Sequence, residues 1–340
     1  MRAMMLRVHG EPLRLEDVPV PEPGPGEVLV RVGACGICGT DLKIAAGLMK
    51  GTRIPNIMGH EPAGEVAKVG PGVTTVKPGD RVFVHFYVTC GMCEFCLSGR
   101  ETICRRQPGR VGWEMDGGFA EYLKVPAQNA IPVPQTVSVE EAALLGDAIG
   151  TAYHAVNSRA RLLSGDVGLV MGAGGVGLHI VQVAKVAGAR VIAVDIDDKK
   201  LEMARELGAD DVVRYDAKTY VDDVRGLLGG DGVHAVFETV GLPETFERNL
   251  AVLRPAGRLV IIGYKPGTTF PVDPLRTLLD EVEILGSRAV TKPELQAVVR
   301  LVARGQVKPI ITRRFKLEQV NEALEELRQG RIMGRAVILP

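Results

Sequence analysis

Apolar positions change their period along this chain. Through the first 147 residues they come as short β-like runs, such as 28–32, cut every few positions by Gly, Pro or a charge. That pattern predicts strands and turns, a β-rich first domain over residues 1–147. From Asp166 the pattern changes. Val167, Leu169 and Val170 make a short buried strand ending at Met171, residues 178–187 read as a helix, and Val191-Ile192-Ala193-Val194 reads as a second strand. Helical segments near 199–207 and 244–253 then alternate with the runs 235–237 and 259–262. Strand-helix alternation of this kind predicts βαβ units and a parallel sheet extending to about Gly286. Beyond Gly286, residues 293–304 and 317–329 have amphipathic helical spacing.

The most apolar stretch, 167–184, is rich in glycine and interrupted by His179 and Gln182, short of the about 20 apolar residues of a membrane span. The first residues, MRAMMLRVHGEPLRLED, have no basic start, apolar core or cleavage site of a secretory signal. A cytoplasmic protein is expected. Lys+Arg and Asp+Glu both number 41, a balance that argues against a charge-driven partner such as nucleic acid or an anionic membrane. With 41 glycines, 21 prolines and 4% aromatics, the core is expected to be aliphatic and the turns many, as suits an α/β chain.

The six cysteines all lie between 35 and 104. Four form Cys90-x2-Cys93-x2-Cys96-x7-Cys104, a run that one loop can wrap tetrahedrally around a single ion. The spacing alone also fits an iron–sulfur cluster, but such runs end in Cys-Pro or have a wider first gap, so zinc is expected. Four thiolates leave no open position, and this zinc is expected to be structural, clamping residues 91–105. Cys35 reads as a small buried apolar residue, and the Cys35-x2-Cys38 spacing lacks the surroundings of a redox fold. Cys38 differs because Gly39-Thr40-Asp41 follows it, and Gly59-His60-Glu61 comes 22 residues later. Cys38, His60 and a third donor make the open three-ligand set of a catalytic zinc.

Gly172-Ala173-Gly174-Gly175-Val176-Gly177 joins the first strand of the parallel region to its helix, and the second strand ends in Asp195. Glycines there allow a tight turn and close approach of backbone N–H groups to a pyrophosphate at the helix N-terminus. Gly172, Gly174, Gly175, Val176 and Gly177 are therefore candidate cofactor residues. Asp195 would accept both ribose hydroxyls and repel a 2′-phosphate, which selects NAD over NADP. The competing reading of Asp195 is a solvated acid at a strand end.

Taken together, GICGTD around Cys38, GHE at 59–61, the four-cysteine lobe, GDRV at 79–82, and GAGGVG with Asp195 resemble the zinc-dependent medium-chain alcohol dehydrogenases over essentially the whole chain. The resemblance implies a GroES-like catalytic domain (1–147), a doubly wound Rossmann NAD-binding domain (148–286) and a C-terminal segment (287–340) that returns to the catalytic domain. It implies catalytic-zinc ligands Cys38, His60 and Asp147, with Glu61 nearby or an alternate ligand. Asp147 departs from the commoner Cys, and its competing reading is a helix N-cap. Asp41 would buttress His60, and Thr40 would relay the alcohol proton, while Lys43 stands where many relatives have a terminal histidine. Thr151 and Val176 would line the nicotinamide, Lys200 would contact ribose and Arg335 the pyrophosphate; for the two cations the alternative is a solvated surface position. Phe86 and Trp113 would wall the substrate pocket, although a single Trp is also a common core residue.

The implied reaction is the reversible oxidation of a primary or secondary alcohol to an aldehyde or ketone by hydride transfer to NAD, in a homotetramer holding two zincs per chain. Polyol, sugar or L-threonine dehydrogenation is the enzymatic alternative. A non-catalytic, zinc-stabilised NAD sensor is the alternative from another class, disfavoured by Cys38, His60, Thr40 and Asp147. A zinc-free quinone reductase would lack these ligands.

Overall fold

In the computed structural model, which describes Met1–Pro340, the run 28–32 lies inside a longer strand, Glu27–Ile37. Val28, Val30 and Val32 are buried while Arg31 faces solvent. This strand is the hub of a seven-stranded sheet ordered Ala130–Pro132, Arg81–Val84, Glu61–Val69, Glu27–Ile37, Arg335–Leu339, Ile311–Lys316, with Tyr122–Pro126 also pairing on the hub. Both neighbours of the hub run antiparallel to it, with Gly36 opposite Glu61 and Ile37 opposite Ala336. The end of one strand and the starts of two others therefore meet at one edge of the sheet. A ribbon of Tyr87–Val88 and Gly109–Arg110 brackets the four-cysteine lobe, which holds the one-turn helix Glu94–Leu97 and the 3-10 turn Glu101–Ile103.

The first compact unit comprises Met1–Asp147, Val290–Ala303 and Ile311–Pro340. Helix Lys292–Ala303 is tied to the cysteine lobe within it. The Lys292 N–H donates to the Glu101 carboxylate, whose other oxygen accepts from the Thr89 hydroxyl at 3.1 Å. The stretch 317–329 is split into a 3-10 turn, Leu317–Gln319, and helix Val320–Arg328.

The second unit comprises Ala148–Ala289 and Arg304–Ile310. Its six strands are all parallel, ordered Asp211–Arg214, Arg190–Asp195, Val167–Met171, Val233–Glu238, Leu253–Ile261, Glu283–Gly286. This is the 3-2-1-4-5-6 order of a dinucleotide fold. The inner strands read as continuous apolar runs because helices cover both faces, and Leu169, Met171, Ile192, Val194, Val236 and Leu259 are buried in one core. The two outer strands have mixed sequences and no run of their own in the pattern.

Residues 304–310 differ from the expected division at Gly286. Gln182 donates its amide to Lys308 O at 3.0 Å and accepts from Lys308 N–H at 2.8 Å, while Ile310 N–H donates to His179 Nε2 at 3.2 Å. Side chains on helix Gly177–Val186 thus satisfy this segment's backbone, which holds it in the second unit. No helix is long and apolar enough to cross a membrane.

Candidate active site and metal centres

Cys38 caps the helix Gly39–Ala45 that begins where the hub strand ends. Its Sγ accepts from Thr40 N–H at 3.5 Å, and its own N–H donates to Asp41 Oδ2 at 2.9 Å. This reciprocal box uses a thiol where Ser or Thr is usual, and it places the sulfur at the positive end of the turn, where a thiolate is favoured. The other oxygen of Asp41 lies 2.9 Å from His60 Nδ1, so one buried carboxylate anchors both side chains. With Nδ1 bound there, Nε2 of His60 is left facing Asp147 Oδ2 at 3.7 Å. His60 follows Gly59, whose φ of +93° and contact with Phe119 demand glycine. Glu61 opens the next strand, and its carboxylate lies across Gly36, where an added Cβ would come within 2.1 Å of Oε2.

Asp147 is placed by a π-helical turn, Leu145–Ile149, rather than at a helix N-cap. Such wide turns re-aim a side chain and recur at functional sites. The result is a buried set of Cys38, His60, Glu61 and Asp147 whose ligand atoms all lie within 4.8 Å of one another. Arg335, at the start of its strand, is buried and reaches Glu61 Oε1 at 3.1 Å and Asp147 Oδ2 at 3.2 Å.

The electrostatics of this set call for a cation. Burial pushes the Glu61 carboxyl well above its ordinary range, and Arg335 only partly offsets it. Burial also opposes charge on His60, yet Asp41, Asp147 and Cys38 hold its imidazole well above the usual value. For Asp147, burial is overcome by His60 and Arg335, which keep the carboxyl well below the usual range. The Cys38 thiol is lowered despite burial, chiefly by Arg335. Neither Glu61 oxygen makes a hydrogen bond. Nitrogen and oxygen donors about 2.0 to 2.2 Å from a tetrahedral zinc lie roughly 3.3 to 3.6 Å apart, close to the spacing of His60 and Asp147. The donor set fits zinc.

The second centre fits more closely still. Sulfur separations are 3.5 Å for Cys93–Cys96 and Cys104–Cys90, and 3.9 Å for Cys90–Cys96 and Cys93–Cys104. Four sulfurs about 2.3 Å from one zinc stand roughly 3.8 Å apart, far beyond the about 2.05 Å of a disulfide. All six cysteines are free thiols, and Cys35 is fully buried.

In the second unit Gly172 turns at φ +93°, and a Cβ there would meet Thr239 Oγ1 at 2.6 Å. A Cβ on Gly177 would come within 1.9 Å of Gly172 O, so the helix can approach the strand only with glycine there. Nothing of the protein lies within 4 Å of a Cβ built on Gly174, which leaves that backbone open to a ligand. The cradle fits a dinucleotide phosphate. Val176 caps the helix Gly177–Val186, and Asp195 Oδ2 accepts from Ala173 N–H at 2.8 Å while Oδ1 accepts from Asp197 N–H at 3.1 Å. Lys200 is half-buried in helix Asp198–Glu206, and Thr151 is buried in the turn Gly150–Tyr153.

The structure thus gathers Cys38, His60, Glu61 and Asp147 in one place, the four lobe cysteines in another, and the glycines with Asp195 in a third. Phe86 packs its ring edge-on to His60 with centroids 5.2 Å apart, beside the first of these. Trp113 instead lies under the Arg110 guanidinium, 3.3 Å from its ring centroid, and its carbonyl accepts from Asn56. Arg335 is no surface cation. The expectation places it at a pyrophosphate, whereas its guanidinium is paired with two carboxylates of the candidate metal site. Only that commitment gives its place away, because a strand-opening Arg carries no signal of a buried partner.

Residues 24–135 match the alcohol dehydrogenase GroES-like domain, and residues 175–304 match the zinc-binding dehydrogenase domain. The chain is 38% identical to an alcohol dehydrogenase of Geobacillus stearothermophilus over 340 residues, 99% of each chain. It is 37% identical to an L-threonine 3-dehydrogenase of Pyrococcus horikoshii, covering 100% of this chain and 98% of the other. A crystal structure of an NAD-dependent alcohol dehydrogenase superposes with a TM-score of 0.95 at 34% identity, over 100% of both chains. With both domain models matched in order, and with full-length relatives at this identity, the chain belongs to the zinc-dependent medium-chain dehydrogenase/reductase family.

Proposed function

We propose that this protein is a zinc- and NAD-dependent alcohol dehydrogenase that interconverts a primary or secondary alcohol with its aldehyde or ketone. The observation that carries the reading is the buried Cys38–His60–Asp147 set, one thiol, one imidazole and one carboxylate converging where few neutral folds would tolerate them. A closed structural site would use four strong ligands; three ligands, Cys38, His60 and Asp147, with Glu61 in reserve, leave a position for substrate. The metal and substrate groups belong to the first unit and the dinucleotide groups to the second. Zinc bound there would act as a Lewis acid on the substrate oxygen, and NAD would take up hydride.

The chain's own residues supply the rest. Asp41 fixes His60 in the tautomer that presents Nε2 to the metal. Arg335 offsets the surplus carboxylate charge, and Glu61 is a reserve ligand. The Thr40 hydroxyl, on the turn after Cys38, carries the alcohol proton outward, with Lys43 one helical turn further along. Phe86 contributes an apolar wall beside His60 that keeps water from the reacting atoms. The glycine turn holds the pyrophosphate, Asp195 and Lys200 the adenosine ribose, and the side chains of Thr151 and Val176 the nicotinamide end. Cys90, Cys93, Cys96 and Cys104 hold a second, structural zinc. Free cysteines kept for metal suit a reducing cytoplasm.

The test joins turnover to metal content. Purified protein is given NAD or NADP with simple alcohols, diols, sugar alcohols and threonine, while zinc is counted by atomic emission. Two zincs per chain with NAD-linked turnover of simple alcohols is expected. Preference for threonine would move the reading to an amino-acid alcohol, and zinc with NAD binding but no turnover would favour a sensor. Asp147→Ala and Cys104→Ser should each lose one zinc; Asp147→Ala should abolish turnover, whereas Cys104→Ser should lower the melting temperature. Asp147→Ala with both zincs and full activity would remove Asp147 from the ligand set.

A further inference from the structure

His179 interrupts the apolar face of helix Gly177–Val186 and is fully buried. Its Nδ1 lies 2.6 Å from Gly175 O, in the glycine turn, and its Nε2 lies 3.2 Å from Ile310 N in the segment Arg304–Ile310. Chemistry decides the tautomer. A backbone N–H can only donate and a carbonyl can only accept, so Nε2 must be bare and Nδ1 must carry the proton. Gln182, one helical turn on, exchanges two hydrogen bonds with Lys308, so the segment that sets the tautomer is itself held at a second point.

The Gly175 carbonyl that Nδ1–H holds shares a peptide plane with the N–H of Val176. In a trans peptide these two groups point in opposite directions. Fastening the carbonyl toward the helix therefore turns the Val176 N–H outward, at the cap of the helix, where the first N–H groups have no partner inside the helix. This peptide joins Gly175 to Val176, and the missing Cβ on its Gly175 side leaves its rotation less restricted than between two ordinary residues.

We propose that His179 is a positioning residue for the dinucleotide, its Nδ1–H locking the Gly175–Val176 peptide so that the Val176 N–H is preset to donate to the pyrophosphate. His179 touches no reacting atom. The inference rests on the glycine turn being the NAD site, and it assigns the specific device that stiffens it. Ile310 belongs to the same device, because its N–H excludes the other tautomer.

The test compares ligands that differ in the pyrophosphate. NAD, ADP-ribose and AMP are titrated calorimetrically into the zinc-loaded wild type and into His179→Leu, His179→Asn and His179→Gln. Asn places an amide N–H near the position of Nδ1, whereas Gln places its amide near Nε2. Leu and Gln are expected to weaken NAD and ADP-ribose roughly tenfold, the worth of one hydrogen bond to a charged group. AMP binding should stay nearly constant, and Asn should restore most of the loss. A uniform loss for all three ligands, or no rescue by Asn, would mean a merely structural role and overturn the proposal. Nitrogen NMR of the wild-type imidazole reads the tautomer without any substitution. Protonated Nδ1 with bare Nε2 is expected, and the reverse tautomer would overturn the proposal even if every variant failed to fold. Failure of the wild type to bind NAD and ADP-ribose at all would sink the dinucleotide reading and this inference with it; normal wild-type binding with an unaffected Leu variant would sink this inference alone.

Discussion

The Asp195 carboxylate is already hydrogen-bonded to two backbone N–H groups, one in the glycine turn and one beyond its own strand. Those donors fix the charge where a ribose would lie, and each oxygen retains lone pairs for hydroxyl groups. Replacing Asp195 by Gly removes both the acceptor and the charge that would repel a 2′-phosphate. The ratio of kcat/KM for NAD over NADP should fall by at least about tenfold, the scale of a charge-assisted hydrogen bond. Steady-state kinetics with both cofactors measure it, and an unchanged ratio would return Asp195 to the status of a strand-end acid. Arg335 and Trp113 show the opposite situation. Their expected roles came from their places along the chain, whereas Arg335 meets Glu61 and Asp147 through segments far apart in sequence and Trp113 lies under its near neighbour Arg110.

His85 follows the strand Arg81–Val84 and joins it to the ribbon that carries the cysteine lobe. Its backbone is well anchored, with its N–H donating to Asn129 O at 2.8 Å, but neither ring nitrogen has a hydrogen-bond partner. Burial, helped by Lys292, holds its pKa at about 3. In the unfolded chain the same imidazole takes its proton near about 6.5. Between these values the unfolded state binds more protons, so His85 withdraws stability as pH falls from about 6.5 toward 3 and returns it as pH rises. His85→Leu should leave the melting temperature at about pH 8 within a few degrees of wild type and lose less of it on going to about pH 5. Thermal melts at constant zinc content measure the difference, and equal acid losses in the two proteins would contradict it. The strand and lobe around His85 were legible because Cys spacing and short apolar runs are local signals. The π turn at Leu145–Ile149 was not, because an extra residue in a helical turn is chosen by what it packs on: Gly146 sits against Phe83 and Val84.

The six-stranded sheet ends in the strand Glu283–Gly286, which pairs on one side only with Leu253–Ile261. Beside it in sequence, helix Pro274–Leu279 buries no residue, and Leu275, Leu278 and Leu279 are 65%, 71% and 68% exposed. An open parallel edge and a helix with bare leucines are surfaces suited to burial against another chain, and a homotetramer is expected. Light scattering should return the mass of four chains, and a double substitution of Leu278→Glu with Leu279→Glu should lower it. A single-chain mass for the unaltered protein would refute the tetramer.

What the sequence determined by itself is local in its physics. Hydrophobic period distinguishes half-buried strands from a two-sided parallel sheet, thiolate spacing within one loop defines the lobe, and a glycine turn between strand and helix needs no distant partner to be recognised. What only the tertiary structure decided is every group whose environment is built by remote chain. Arg335 became the countercharge of Glu61 and Asp147 because its strand lies against the end of Glu27–Ile37. Residues 304–310 joined the second unit because Gln182 and His179, visible in the sequence only as polar interruptions of an apolar run, satisfy their backbone. Burial turns such polar residues into fixed contacts, since leaving a buried polar group unpaired costs about 1 to 3 kcal/mol.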